Sequence, residues 1–252
     1  MFVNLGQNRL PPQLMRGTLL NTAAIAVGAI AGMSAGRWIP PAAETVVLDG
    51  MGLVVIGIAV RMILQSKNVL VVVAAVAIGG LLGLAMGLNS GLDGLAEWAK
   101  VRLGGGGRFT EGLVTTTVLY CVGPMTIMGC LQDGLEGRSE LLVVKSMMDG
   151  ISAVFFAAAM GGGVLVTAVV VLILQGALTL LAHPLRRLAD DAEVIQEAGA
   201  TGGTLLLGIA LGLLNIKHVA VANYLPALVL APMLVALSRR FRRPDTPPAP
   251  SE

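Results

Sequence analysis

The chain has 252 residues, 55% of them hydrophobic and only 13% charged, with a mean hydropathy of +0.82 and a formal net charge of +2. A soluble domain carries about 25% charged residues, so this chain lacks the charge to coat a water-facing surface. Continuous apolar runs exclude a membrane barrel, whose strands alternate apolar and polar residues.

Apolar runs of about 20 residues, enough to cross a hydrocarbon core of about 30 Å as a helix, recur along the chain. An all-α integral membrane protein is expected, with spans near 17–36, 46–64, 69–88, 110–131, 141–160, 163–182, 201–216 and 219–238. The first run follows Arg9 and Arg16, and Ala29-Ile30-Ala31 has cleavage-like spacing. Its 20 residues, bracketed by Arg16 and Arg37, nevertheless read as a retained span rather than a signal peptide. The stretch 141–182 is broken only by Gly161-Gly162-Gly163. As one helix it would be about 60 Å long, twice the core, so two helices joined by a glycine turn are expected.

Eight spans divide Lys and Arg eleven to five across the membrane, whereas a seven-span count with 141–182 as one span divides them ten to six. The positive-inside rule therefore favours eight, with both termini cytoplasmic, and leaves seven as the alternative. LDGLAEWAKVRL (92–103) places Leu92, Leu95 and Ala99 on one side with Trp98 alongside, and PLRRLADDAEVIQE (184–197) does the same with Leu185, Leu188, Ala192 and Ile195. Both are expected as amphipathic helices on the membrane surface, with solvated loops as the alternative. Segment 1–16 precedes the membrane domain of 17–238, and 239–252 forms a basic, Pro-rich tail ending in PDTPPAPSE, a disordered composition.

GMGLVVIGIAV (50–60) matches TGGTLLLGIAL (201–211) at an offset of 151, with Gly52 on Gly203 and Gly57 on Gly208. If the match is more than shared composition, spans 1–3 correspond to spans 6–8, and a displacement of five spans inverts them across the membrane. Inverted three-helix repeats around a central hairpin (about 110–160) are then expected, a recurrent plan of secondary transporters. Gly28, Gly32 and Gly36, and Gly79, Gly83 and Gly87, form small-residue stripes for close helix packing. The Gly-rich faces are also where a homo-oligomer is expected to form.

Polar groups within the spans are the candidate functional residues. Asn21, Gln175, Asn215 and Asn223 can bridge helices by hydrogen bonds. Lys145 and Asp149, with Ser146 between them, are four residues apart and share a helix face near mid-span. Charge at that depth costs at least about 2.5 kcal/mol if unpaired, which makes the pair a functional candidate; an ion pair that only fixes packing is the alternative. In GPMTIMGCLQDG (123–134), Pro124 is expected to kink span 4, Gly123 and Gly129 allow close approach, and Gln132-Asp133 is expected at the cytoplasmic mouth of the hairpin. A plain QDG turn accounts for the same residues.

Cys121 and Cys130 read as inert thiols, and His183 and His218 have no second ligand at helical spacing, so no metal site and no cofactor are expected. No phosphate loop, catalytic triad or basic-aromatic nucleic-acid surface is present in the sequence.

GTLLN (17–21), GPMTIMGCLQDGL (123–135), KSMMDGISAVFFA (145–157), QG (175–176), GLLNIK (212–217) and NYLPAL (223–228) resemble the domain-of-unknown-function 554 family. Its members are small bacterial inner-membrane proteins, sometimes labelled transport proteins. The resemblance runs from about 17 to 238 and marks Asn21, Pro124, Gln132, Asp133, Lys145, Asp149, Asn215 and Asn223 as its polar signature. It implies no substrate or mechanism. Together these features favour a secondary transporter or channel-like carrier for a small solute or ion, in the bacterial inner membrane, rather than an enzyme. A scaffold or sensor subunit acting through a protein partner is the alternative. Few deep carboxylates argue against a multivalent metal cation as cargo.

Overall fold

The computed structural model describes residues 15–38, 40–103, 108–189 and 191–241. The expected N-terminal segment through Gln13 and Leu14, the tail beyond Phe241, and the apolar-face side chains of Leu95, Ala99, Leu185 and Leu188 lie outside the described residues. The described chain is all-α: α1 (Arg16–Gly36), α2 (Pro41–Ile63), α3 (Val69–Ala85), α4 (Leu88–Leu103), α5 (Phe109–Cys121), α6 (Pro124–Glu136), α7 (Glu140–Met160), α8 (Gly163–Leu180), α9 (Ala182–Ala189), α10 (Ala192–Leu213), a 3-10 turn (Val221–Tyr224) and α11 (Pro226–Phe241). Six segments are each long and apolar enough to cross a membrane, and the bent pairs α3–α4 (57°) and α5–α6 (61°) raise the number to as many as eight.

Helix directions follow from which residues touch. Gly28, Gly32 and Gly36 sit on the carbonyls of Gly150, Val154 and Ala158 in turn, so α1 and α7 run parallel with their backbones in contact. Gly52 meets Leu213 and Leu214 while Gly203 meets Ala59, Met62 and Ile63, so α2 and α10 are antiparallel. Gly79 faces Ala227 and Gly83 faces Asn223, so α3 opposes α11. Along α8, Gly163 abuts Phe109, Thr167 bonds Thr116, and Gly134 abuts Thr179 and Ala182. The bent α5–α6 pair thus accompanies α8 from end to end, as a broken span does and a re-entrant loop does not. These directions alternate from one candidate span to the next, as in a chain of six to eight crossings.

The structure changes several expectations. Span 4 is broken rather than kinked: Val122 and Gly123 are extended, and Pro124 opens a new helix. Gln132 and Asp133 are not a turn, because α6 continues to Glu136 and ends at left-handed Gly137. The stretch 184–197 is two elements, since α9 stops at Ala189 and Asp191 caps α10 by accepting the amides of Glu193 and Val194. Residues 192–200 therefore belong to the bundle. Gly87 does not pack; with φ +64 it turns the chain from α3 into α4, a backbone angle glycine adopts without strain. Finally, the faces of Gly28, Gly32, Gly36, Gly79 and Gly83 are packed against neighbouring helices of the same chain.

The separation of α7 from α8 follows the expectation: Gly161 (φ 76, ψ −147) makes the turn between them.

Candidate solute site at the broken fourth span

The site begins with a backbone defect. Where α5 ends, Val122 is extended, and the next helix starts with Pro124, a residue suited to a first helical turn because its missing N–H has no helical partner there. Between the break, α2 and α7 lies a cavity of about 470 Å³. Its walls are apolar, including Met51, Met62, Leu119, Met125 and Phe155, and Lys145, Asp149, Ser152 and Tyr120 also line it.

Lys145 Nζ donates to both oxygens of Asp149, at 2.9 and 2.7 Å. The two side chains are each 9% exposed, and the ammonium stands 5.9 Å from the centre of the Tyr120 ring, within cation–π range. The Ser152 hydroxyl hydrogen-bonds the Tyr120 hydroxyl (3.1 Å) and the Asp149 carbonyl (3.0 Å). Asp149 is nine residues into α7, hence about 13 Å along its axis.

Parallel packing of α1 on α7 brings Asn21 to the same carboxylate. Asn21 Nδ2 donates to Asp149 Oδ2 at 3.0 Å and to Gln175 Oε1 of α8 at 3.2 Å. Asn21 and Gln175 are fully buried, and Asn21 Oδ1 and Gln175 Nε2 have no partner. One turn further along α1, Thr18 and Thr179 hydroxyls lie 3.2 Å apart, and the Gly17 amide donates to Asp133 Oδ2 at 3.2 Å. Asp133 is fully buried, its Oδ1 unpartnered, as is Gln132 Oε1.

The sequence candidates therefore separate. Gly123, Pro124, Lys145 and Asp149 border the cavity; Asn21 and Gln175 lie directly behind it; Asp133 sits at the far end of the same polar file, and nothing among the described residues joins Gln132 to it. Ser146 is buried but returns its hydroxyl to the Leu142 carbonyl (2.6 Å), a bond within its own helix. Asn215 and Asn223 do not line the cavity. Asn215 is exposed and left-handed (φ 53), ending α10, and Asn223 accepts the Asn89 amide at 3.1 Å beside the 3-10 turn. Sequence reasoning missed Tyr120, Ser152, Thr18 and Thr179, for which the only signal was a hydroxyl within an apolar run. It also missed Glu197, fully buried on α10, which accepts the amides of Lys67 (2.7 Å) and Asn68 (2.8 Å) and the Ser66 hydroxyl (2.7 Å), tying down the loop between α2 and α3. Cys121 and Cys130 are free thiols, and among the described residues no cluster of three His, Cys, Asp or Glu forms a metal site.

The model of the family described as "Protein of unknown function (DUF554)" matches residues 16–236, the helical bundle up to the last turn of α11 and all the residues lining the cavity. The chain belongs to this family. It is 30% identical over 232 residues to "Uncharacterized membrane protein YdfK" of Bacillus subtilis (strain 168), covering 90% of this chain and 98% of that one. It is 28% identical over 226 residues to "Uncharacterized protein YqgA" of Escherichia coli (strain K12), covering 87% and 96%. No solved structure matches. This DUF554 chain is thus a multi-pass helical membrane protein whose polar residues converge beside a helix break.

Proposed function

We propose that this DUF554 protein is a secondary carrier that moves a small solute across the bacterial inner membrane through the cavity beside α5–α6, with both termini cytoplasmic. One observation carries the reading: a buried Lys145–Asp149 pair opens onto a cavity of about 470 Å³ at a mid-span helix break. Intramembrane charge is expensive and is retained where it serves a pathway, and discontinuous helices at the midplane are where secondary transporters bind cargo. The apolar walls suit a solute that is mostly apolar with one hydrogen-bonding or charged group.

Supporting it, the three pairs matched in the repeat alignment, α1 with α8, α2 with α10 and α3 with α11, each pack antiparallel. The aligned glycines also make reciprocal contacts. Gly52 receives residues 213 and 214 and Gly203 receives residues 62 and 63, positions related by the same offset of 151. An antiparallel pair has local two-fold character in any case, so the added weight comes from matched glycines occupying matched contacts.

The test is uptake of a panel of labelled small solutes into proteoliposomes, wild type against Lys145→Gln/Asp149→Asn. This neutral, nearly isosteric pair is expected to fold and to lose uptake. Uptake by neither protein across the panel, or equal uptake by both, would overturn the proposal.

A further inference from the structure

We propose that the buried polar file from Asp133 to Asp149 is a proton path, delivering protons from the α6–α7 end of the bundle to the carboxylate that holds Lys145. This inference deepens the carrier reading, on which it rests for what the proton accomplishes, though not for the path itself.

The argument starts from where polar groups lie in an otherwise apolar interior. Asp133 Oδ2 accepts the Gly17 amide; one residue on, Thr18 meets Thr179; three further, Asn21 reaches both Gln175 and Asp149. Along α1 the two carboxylates are bridged by four residues, a rise of about 6 Å. Gln175 and Thr179 are likewise one turn apart on α8, so two helices present polar groups in register. Three atoms of this file, Asp133 Oδ1, Asn21 Oδ1 and Gln175 Nε2, are buried without a partner. Acceptors and a donor held this way, within a turn of each other, match the needs of bridging water, which takes two to four polar partners. Pure packing requires no orphaned atoms, and it requires no second carboxylate.

The charged and titratable surroundings fit a relay between two carboxylates. Asp149 is faced by Lys145 on its own helix and by Tyr120 and Cys121 on α5, while α1 offers it the neutral Asn21, itself bonded to the neutral Gln175 of α8. Asp133 has Cys130 on its own helix and, on α1, the Gly17 amide next to Arg16. The α9 helix packed against α6 carries exposed His183 and Arg186.

The step balances simply. A proton from water at the end of the bundle binds Asp133, passes through bridging water to Asp149, and forms an O–H bond there. Lys145 keeps its own protons, loses its anionic partner and turns its N–H donors to the cavity. Loading one proton therefore leaves one positive charge at the cavity floor, ready for an anionic group of the solute, and unloading restores the closed ion pair.

The test follows carboxyl protonation by time-resolved infrared spectroscopy after a pH jump, using the full chain in lipid vesicles. The Asp149 band is identified by its loss in Asp149→Asn. Asp133→Asn is expected to preserve the amplitude of that band and slow its appearance on the order of tenfold or more, and Asp133→Glu to recover much of the rate. Thr18→Val/Thr179→Val, which keeps shape and removes the hydroxyl pair, is expected to slow it too, and it carries the test should Asp133→Asn fail to fold. Absence of an Asp149 band in the wild type, or wild-type rates in these variants, overturns the proton path. A solute panel that yields no uptake sinks the carrier reading alone and leaves these rates untouched.

Discussion

The Lys145–Asp149 pair makes a quantitative prediction through a double-mutant cycle with Lys145→Met and Asp149→Leu. Each single change leaves one partner charged, 9% exposed and without its counter-ion. Breaking a buried pair in this way costs about 3–5 kcal/mol. Removing Asp149 also strands the Asn21 amide donated at 3.0 Å, but helix-bridging bonds in bilayers average only about 0.6 kcal/mol, so the ion pair dominates. For a chain of this size roughly 2–4 °C of melting temperature corresponds to each kcal/mol, which puts each single variant on the order of 10 °C below wild type. The double variant removes both charges and fills their place with apolar volume, a replacement that is often neutral or stabilising, so it should melt within a few degrees of wild type. Melting is read by tryptophan-independent light scattering or thiol reactivity in matched detergent. Additive losses in the double variant would refute the reasoning, because they would mean that each charge is separately solvated in the cavity rather than held by the other.

Three further outcomes are expected. Gly32→Ala places a Cβ on the Val154 carbonyl and should destabilise by about 1–3 kcal/mol, whereas Gly57→Ala meets no atom within 4 Å and should melt like wild type. Glu197→Gln gives up the charge that gathers the Lys67 and Asn68 amides, a loss of about 1.5–3 kcal/mol, seen as faster hydrogen exchange at 66–68 before any change elsewhere. The Arg239 guanidinium, with help from the α10 amides, holds the Asp191 carboxyl below its ordinary range. A lowered carboxyl contributes stability in full above the ordinary value of about 3.9 and loses it as pH falls below that. The melting gap between wild type and Arg239→Ala should therefore be present at neutral pH and close in acid.

What the sequence reveals and what it hides divides along physical lines. Spans are legible because a helix must hide its own backbone polar groups in lipid and clothe them in apolar side chains, and the glycine turn at 161 is legible because a 42-residue helix does not fit a bilayer. Glu197 and its neighbours were read as surface because EVIQE is polar by composition. Its burial depends on amides from a loop 130 residues earlier, which no local pattern records. QDG has the residues of a turn, yet Asp133 is helical and buried, its carboxylate accepting the Gly17 amide of another helix. Asn215, polar among apolar residues in the sequence, adopts a left-handed conformation that asparagine tolerates, which composition alone does not reveal. Asn21, Gln175 and Asp149 were each visible as polar residues. Their convergence was not, since it depends on α1 lying between α7 and α8.

The helix break explains why these features occur together. Within lipid, a backbone that leaves the helix strands donors and acceptors at a cost of several kcal/mol each. Here several are accounted for locally: the Val122 amide still reaches the Val118 carbonyl (2.9 Å), Thr126 supplies its hydroxyl to the Tyr120 carbonyl (3.1 Å), and the Gly123 carbonyl accepts the amides of Thr126 (3.0 Å) and Ile127 (3.3 Å). Pro124 falls at the one position where a missing N–H removes a donor that would need a partner. The Gly123 and Met125 amides have no partner of this kind, and both residues line the cavity. The polar side chains lining it on α7, Lys145, Asp149 and Ser152, make their hydrogen bonds elsewhere than to the backbone of the break, so backbone repair is not what holds them there.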